Sequence, residues 1–147
     1  NVISHFYFTK LAIPMLKNNK GGSIINISST AGIMGFALRS PYAASKWAII
    51  GVTKTLAIEL GKFKIRVNAI CPGTIKGDRM DRVIKDKAKF LKVSKKIIEK
   101  DFLSMTSMNS WISQEDIGNM CSFLISKDSE KISGQVFPVD GNTIRVD

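Results

Sequence analysis

Apolar residues in the first part of the chain recur at helical spacing and then give way to a short β-branched run. They lie every few positions through the first turns, at Val2, Phe6, Leu11 and Met15. This spacing predicts a helix over residues 1–16. The polar and glycine-rich residues 18–22 predict a turn, and the isoleucine-rich run at 23–28 predicts a strand.

A second helix and a second strand follow. Residues 41–60 again show helical periodicity, with Pro41 in the first turn and Gly61 just past the end, as is usual at helix boundaries. Residues 65–71 form a short apolar run that Pro72 brings to an end. A strand, a helix and a buried strand in that order predict a βαβ unit, in which the two strands are parallel.

Further helices and one strand complete the pattern. Apolar positions between residues 80 and 98 recur among many lysines and predict two short helices. Ser113 and Asp116 have the spacing of a capping box, which predicts a helix that ends near residue 125. Residues 135–139 predict a last strand. We therefore expect one α/β domain over residues 1–147.

The chain is strongly basic, and much of the excess charge is concentrated in one segment. Its 147 residues carry a formal net charge of +10, and residues 76–100 hold ten lysines or arginines against four acids. Such a segment can be a solvated helix face or a site for an anionic substrate group, and the sequence leaves both interpretations open. Aromatic residues do not alternate with these lysines as they do on a base-stacking surface, so we predict no nucleic-acid partner.

Apolar run lengths and cysteine positions bear on location and metal binding. No run approaches the ~20 residues of a membrane-spanning helix, and the first residues do not resemble a signal peptide. We therefore expect a cytoplasmic protein without a membrane partner. Cys71 and Cys121 lie in apolar surroundings without a CxxC pair or histidine spacing, so we expect two reduced core cysteines and no metal site.

Tyr42 and Lys46 are four residues apart at the start of the second predicted helix and therefore share one helix face. A phenol is almost fully protonated in neutral water, so a tyrosine that exchanges protons there needs a nearby positive charge to stabilise its phenolate. Lys46 can supply that charge. Ser29 ends the first predicted strand. Because functional groups gather at the carboxyl ends of parallel strands, we expect Ser29 and Tyr42 to meet there.

Five segments of the chain resemble those of the short-chain dehydrogenase/reductase family. In order, they are IINISS at 24–29, YAASK at 42–46, RVNAICPG at 66–73, and the closing SGQ and VDG at 133–135 and 139–141. A YxxxK pattern alone recurs by chance in many helices, whereas the five segments together are specific. The resemblance extends over essentially the whole chain.

The resemblance implies an oxidoreductase that uses NAD or NADP to interconvert a small-molecule alcohol and ketone by hydride transfer. Tyr42 would be the general acid/base and, with Lys46, would contact the cofactor. Lys46 would also stabilise the phenolate, while Ser29 would hold the substrate oxygen. Asn1 would anchor a water molecule in the proton relay. The turn beneath the nicotinamide would comprise Pro72, Gly73, Thr74 and Ile75.

The resemblance also implies a Rossmann-type doubly wound parallel sheet, of which this chain would hold the last three of seven strands. The glycine-rich turn that receives the pyrophosphate in this family does not occur in the 147 residues, so we expect the C-terminal half of the domain. Residues 78–110 would form a lid-like helical insertion. Subunits would pair as homodimers or homotetramers through the helices at 1–16 and 41–60. The alternative is a fold retained without catalysis, as a scaffold or as an anion-binding protein whose basic segment binds nucleic acid.

Overall fold

The computed structural model describes residues 2–146, and its helices and strands follow the predicted order. The elements are α1 (Val2–Asn18), β1 (Gly22–Ile27), α2 (Ser40–Leu60), β2 (Ile65–Pro72), α3 (Asp78–Leu91), α4 (Lys95–Ser104), α5 (Gln114–Ile125) and β3 (Val136–Val139). Short 3-10 helices occur at residues 30–32, 61–63 and 127–129. The predicted helices and strands are therefore present, with small displacements at their ends.

The strands form one parallel sheet in the order β1-β2-β3, which places β2 at the centre. Ile27 pairs with Ile70, and Pro72 pairs with Val139. The carboxyl ends of the strands consequently lie at one edge, where the segments that follow them are brought together. This arrangement confirms the predicted α/β class and the parallel sheet.

Helices cover both faces of the sheet. On one face Leu60, Ile65 and Val67 are buried, and half-buried side chains of α1, β1 and α2 pack against them. On the other face the Ser23 hydroxyl and the Arg66 guanidinium both donate to the Leu124 carbonyl of α5, at 3.0 and 2.7 Å. Because successive side chains of a strand point to opposite faces, α2 and α5 lie on opposite sides of β2.

A fully buried amide joins β2 to the segment that leads into β3. The Asn68 side chain donates to the Ile132 carbonyl at 2.9 Å and accepts from the Gln135 N–H at 3.0 Å. Burying an amide without such partners is costly, so these two bonds favour one position of the incoming chain. Register along this part of the sheet thus depends on Asn68 as well as on apolar packing.

Helices α3 and α4 form a hairpin with a small core of its own. Ile84, Ala88 and Ile98 are buried there, and three half-buried side chains pack against them, those of Met80, Phe102 and Trp111. The hairpin confirms the two short helices predicted in the basic segment, while its role as a lid stays a prediction. Helix α5 begins with the predicted capping box: the Ser113 hydroxyl accepts from the Asp116 N–H, and the Asp116 carboxylate accepts from the Ser113 N–H.

The two cysteines differ in their surroundings. Both are free thiols, but Cys71 is buried and Cys121 is half-buried. The prediction that both belong to the core is therefore wrong for Cys121, because only one stripe of α5, which includes the fully buried Leu124, faces the sheet. Among residues 2–146, no helix combines the length and apolar character needed to cross a bilayer.

Candidate active site

Ser29 directly follows β1 and caps the first 3-10 helix. Its backbone is extended, and its hydroxyl oxygen accepts a hydrogen bond from the Ala31 N–H at 3.2 Å. This bond orients the oxygen and leaves the hydroxyl hydrogen free to point elsewhere. The half-buried Ser29 side chain therefore stands at the carboxyl edge of the sheet as a hydrogen-bond donor.

Tyr42 and Lys46 lie in the first two turns of α2, which begins at Ser40 with Pro41 in its first turn. The Lys46 ammonium lies 5.8 Å from the centre of the Tyr42 ring, so the two side chains share one helix face as predicted. The same ammonium donates to the Ile27 carbonyl, the last of β1, at 3.2 Å. Tyr42 is 39% exposed, which makes it accessible to a small molecule.

The end of β1 holds α2 at close range. Ser28 is buried, and its hydroxyl donates to the Lys46 main-chain carbonyl at 2.8 Å. A Cβ atom on Gly32 would lie 2.5 Å from the Ser28 oxygen and 2.9 Å from that same carbonyl oxygen. Only a residue without a side chain fits so close to the helix backbone. The Ser28-Gly32 segment therefore sets the position of Lys46.

Cys71 marks the point at which the segments converge. Burial raises the pKa of its thiol, while the Ser29 N–H, the nearby Ser28 side chain and the Lys46 charge act to lower it. The negative charge of Asp140, which follows β3, also raises the pKa of the Cys71 thiol. Residues that follow β1 and β3 and a residue of α2 thus lie near one buried sulfur at the end of β2.

The predicted nicotinamide turn, residues 72–75, continues from β2 along the same edge. The Gly73 N–H donates to the Val139 carbonyl at 3.0 Å, and a Cβ atom on Gly73 would lie 2.8 Å from the Asp140 Cα. After this contact, Ile75 forms a parallel β-bridge with Ile112, which lies in the segment between α4 and α5. Pro72 and Thr74 are half-buried in the same turn. Close backbone packing against β3 therefore fixes where the turn lies.

The structure brings the predicted site residues that it describes to one edge of the sheet. Ser29, Tyr42, Lys46 and the turn at 72–75 all lie where the strands end. Asn1 lies outside the described residues. Sequence reasoning missed Ser28 and Gly32. The adjacent serines at 28–29 were a usable signal, because consecutive residues at a strand end point to opposite sides and can hold two elements.

The surface has two concave regions whose walls are formed mainly by other residues. A cavity of about 720 Å³ lies between α5 and the end of β3, and its walls include Trp111, Phe123 and Asp140. A second, of about 530 Å³, lies between α1 and β1 and includes His5 and Asn26. The walls of neither include Ser29, Tyr42 or Lys46.

Comparison with known proteins gives this arrangement its family. A family model described as Enoyl-(Acyl carrier protein) reductase matches residues 1–142. The chain is also 36% identical, over 143 residues, to the short-chain dehydrogenase/reductase cdmF of Talaromyces verruculosus. The chain belongs to the short-chain dehydrogenase/reductase family. That alignment covers 95% of this chain and 55% of the relative, so the chain spans about half the length of the relatives it matches.

Solved structures of short-chain dehydrogenases/reductases share the fold. L-sorbose reductase from Gluconobacter frateurii, complexed with NADPH and L-sorbose, has a TM-score of 0.91 and 26% identity, and the match covers 98% of this chain and 55% of that one. 4-Hydroxyisoleucine dehydrogenase complexed with NADH has a TM-score of 0.76 and 32% identity, with 96% and 55% covered. The two relatives were thus solved with different nicotinamide dinucleotides.

Proposed function

We propose that the protein is an oxidoreductase that interconverts an alcohol and a ketone with NAD or NADP as cofactor. The observation that supports this most directly is the Tyr42 phenol beside the Lys46 ammonium, on an accessible helix face at the carboxyl edge of the sheet. A structural protein has no need of a tyrosine, a lysine and a serine gathered there. The relatives solved with NADH and NADPH support the choice of cofactor class.

The donor groups of Lys46 fit the ribose of a nicotinamide dinucleotide. An ammonium has three N–H donors, and one of them is directed at the Ile27 carbonyl. The others remain for the adjacent ribose hydroxyls, which accept and donate hydrogen bonds. Residues 72–75 would lie against the nicotinamide itself. Such a cofactor supplies the hydride donor or acceptor when bound, and the protein positions it.

In ketone reduction, Tyr42 gives its hydroxyl proton to the substrate oxygen as negative charge develops there, and in alcohol oxidation it takes that proton back. Lys46 stabilises the phenolate that Tyr42 forms when it has given up its proton. Ser29 donates a hydrogen bond to the same substrate oxygen, since its own oxygen already accepts from Ala31. Asn1 would hold a water molecule of the proton relay, a role that rests on the family resemblance alone.

The substitution Tyr42→Phe tests this proposal in the full-length protein. It removes the transferable proton but keeps the ring, so we expect turnover to fall by about 100-fold or more while the melting temperature stays unchanged. The assay follows reduced nicotinamide with both dinucleotides and a panel of secondary alcohols and ketones. Tyr7→Phe is the matched control, because it removes the same hydroxyl from an exposed position on α1 and keeps the apolar ring there. Tyr42→Phe activity above a few per cent of wild type would exclude Tyr42 as the acid/base.

We also propose that the full-length protein forms a homo-oligomer through α1 and α2. Apolar side chains of α1 are exposed to an unusual extent, including Phe6, Tyr7, Leu11 and Met15, and Ile58 of α2 is 83% exposed. Contiguous exposed apolar surface of this kind is typical of subunit contacts. The double substitution Leu11→Asp/Ile58→Asp should shift the sedimentation coefficient towards that of the monomer. An unchanged coefficient would exclude this face as the contact.

A further inference from the structure

The connection between α3 and α4 exposes lysines and apolar side chains together. We call this surface, residues 89–97, the hairpin tip. Its sequence, KFLKVSKKI, contains four lysines, four apolar residues and one serine, and no acid. Elsewhere in the hairpin, acids are interspersed among the basic residues. The hairpin tip is therefore distinct in its composition.

The apolar residues of the hairpin tip are not part of the hairpin core. Phe90 is 85% exposed and Ile97 is 57% exposed, while Leu91 and Val93 are exposed to lesser degrees. The core between the two helices is formed by other side chains, those of Ile84, Ala88 and Ile98. The protein therefore exposes four apolar side chains between residues 90 and 97, and those of Phe90 and Ile97 are the most exposed.

The connection itself is closed by backbone bonds. Lys92 has a left-handed conformation with φ 53°, and its N–H donates to the Lys89 carbonyl at 3.3 Å. The Val93 N–H donates to the Ala88 carbonyl at 3.0 Å, which completes the end of α3. The exposed side chains are thus presented by a defined turn and not by a loose loop.

The positive charge of the hairpin tip is not neutralised by described neighbours. The ion pairs in this hairpin join Asp101 of α4 to Lys87 and to Arg145, and both lie outside the tip. Among residues 2–146, no carboxylate forms an ion pair with the lysines at 89, 92, 95 and 96. The tip therefore presents four unpaired cations around exposed apolar side chains.

We propose that the hairpin tip docks the protein on the surface of an anionic membrane. Lysines near such a surface are attracted to its headgroups, and apolar side chains such as Phe90 and Ile97 insert at headgroup depth. A bilayer accepts protruding side chains of any shape, whereas a protein partner would need a matching pocket for each. Of the four apolar side chains only Phe90 has a flat face on which a base could stack, whereas a base-stacking surface uses several aromatic rings, which disfavours nucleic acid.

This docking is independent of hydride transfer and differs from a membrane span. The sequence predicts no membrane partner because it contains no apolar run long enough to cross a bilayer. That criterion does not detect a short basic and apolar turn that lies on the surface. The structure adds the exposure of the apolar side chains and the absence of described counter-charges.

Vesicle co-sedimentation of the full-length protein tests the proposal. We expect binding to vesicles of phosphatidylcholine mixed with phosphatidylserine to be at least about tenfold tighter than binding to phosphatidylcholine alone, and to weaken in high salt. Phe90→Ser/Ile97→Ser removes the inserting side chains, and Lys92→Gln/Lys95→Gln/Lys96→Gln removes the charge. Each set should lower the affinity for anionic vesicles by about tenfold or more.

Matched controls carry the same changes elsewhere. Ile125 is 64% exposed at the end of α5, so Ile125→Ser controls for loss of an exposed isoleucine. Lys10→Gln/Lys20→Gln/Lys127→Gln removes three exposed charges outside the hairpin. Both controls should bind anionic vesicles nearly as wild type does. Circular dichroism of each variant separates lost docking from lost folding.

Four results would overturn the proposal. The first is absence of binding to anionic vesicles. The second is binding of Phe90→Ser/Ile97→Ser to anionic vesicles as tight as that of the wild type, which would mean that charge alone holds the protein there and that the apolar side chains do not insert. The third is tight, salt-dependent binding to random oligonucleotides that vesicles do not displace. The fourth is a raised KM for the alcohol substrate in Phe90→Ser/Ile97→Ser with vesicle binding unchanged. That result would mean that the hairpin tip binds substrate and not a membrane.

Discussion

The Ser28 hydroxyl donates a 2.8 Å hydrogen bond to the main-chain carbonyl of Lys46 and so joins the end of β1 to α2. The Lys46 side chain returns the contact, since its ammonium donates to the Ile27 carbonyl at 3.2 Å. The lysine is therefore held by its backbone and by its side chain to two consecutive residues of one strand end. This double attachment positions Lys46 relative to Tyr42 and Ser29.

Ser28→Ala should loosen this attachment. Loss of one buried hydrogen bond is expected to lower the free energy of unfolding by about 1 kcal/mol and to reduce turnover several-fold, because the Lys46 turn is less firmly held. Urea denaturation and steady-state kinetics measure the two effects. In the control Ser45→Ala, the lost hydroxyl bonds only the Tyr42 carbonyl within α2 and is exposed, so the change should be smaller. Equal losses in the two variants would contradict the role given to Ser28.

Gly32→Ala should be more damaging than its size suggests. The added methyl group would overlap the Ser28 oxygen at 2.5 Å and the Lys46 carbonyl oxygen at 2.9 Å, so the strand end or the helix must move. We expect a loss of about 1–3 kcal/mol in the free energy of unfolding, together with a fall in activity. Gly35→Ala, three residues along the same loop, meets no atom within 4 Å and should be tolerated. A stable, active Gly32→Ala protein would show that this contact yields without cost.

Gly73→Ala tests the packing of the turn at 72–75 against β3. Its Cβ atom would lie 2.8 Å from both the Cα and the Cβ of Asp140, and backbone there cannot yield cheaply. We expect a loss of stability of about 1–3 kcal/mol and a raised KM for the dinucleotide, because the turn is displaced. Gly77→Ala is the control, since its Cβ meets nothing within 4 Å. The prediction fails if both variants keep the KM of the wild type.

The capping box of α5 should make stability depend on pH. Hydrogen bonds from the Ser113 N–H and hydroxyl hold the pKa of Asp116 below its usual value of 3.8. A lowered pKa in the folded chain means that the ionised carboxylate stabilises the fold above that usual value, and that this stabilisation is lost as pH falls through the lowered pKa.

Asp116→Asn removes this titration and checks the sign. The melting temperature of the wild type should exceed that of Asp116→Asn at neutral pH, and the difference should shrink on acidification. Glu115→Gln removes a neighbouring exposed charge in the same helical turn without touching Ser113, and its difference from the wild type should vary less with pH. A pH-independent difference for Asp116→Asn would mean that the carboxylate charge does not act through the cap.

Much of the fold could be predicted because its signals are local. Apolar periodicity located the helices, a β-branched run located β1, and the Ser113-Asp116 spacing located the start of α5. Helical geometry alone placed Tyr42 and Lys46 on one face. Each of these depends on residues a few positions apart, which is the range over which backbone geometry is fixed by neighbouring residues.

Contacts between distant residues could not be predicted in the same way. Nothing near Gly73 in the chain indicates that Asp140 will lie against it, and nothing near Lys46 indicates a bond from Ser28. Such contacts depend on strand register and on how closely a helix approaches the sheet. The exposure of Phe90 and Ile97 is also a tertiary property, because an apolar residue in a helical pattern is equally consistent with the core.

The sequence by itself predicted the elements and the parallel βαβ unit, and it placed Tyr42 and Lys46 on one helix face. Tertiary structure alone decided the attachment of Lys46 to the end of β1, the packing of the turn at 72–75 against Asp140 and the separate core of the α3–α4 hairpin. The physical reason is range. Propensity and periodicity act along the chain, whereas burial, close packing and hydrogen bonds between elements exist only once the chain has folded.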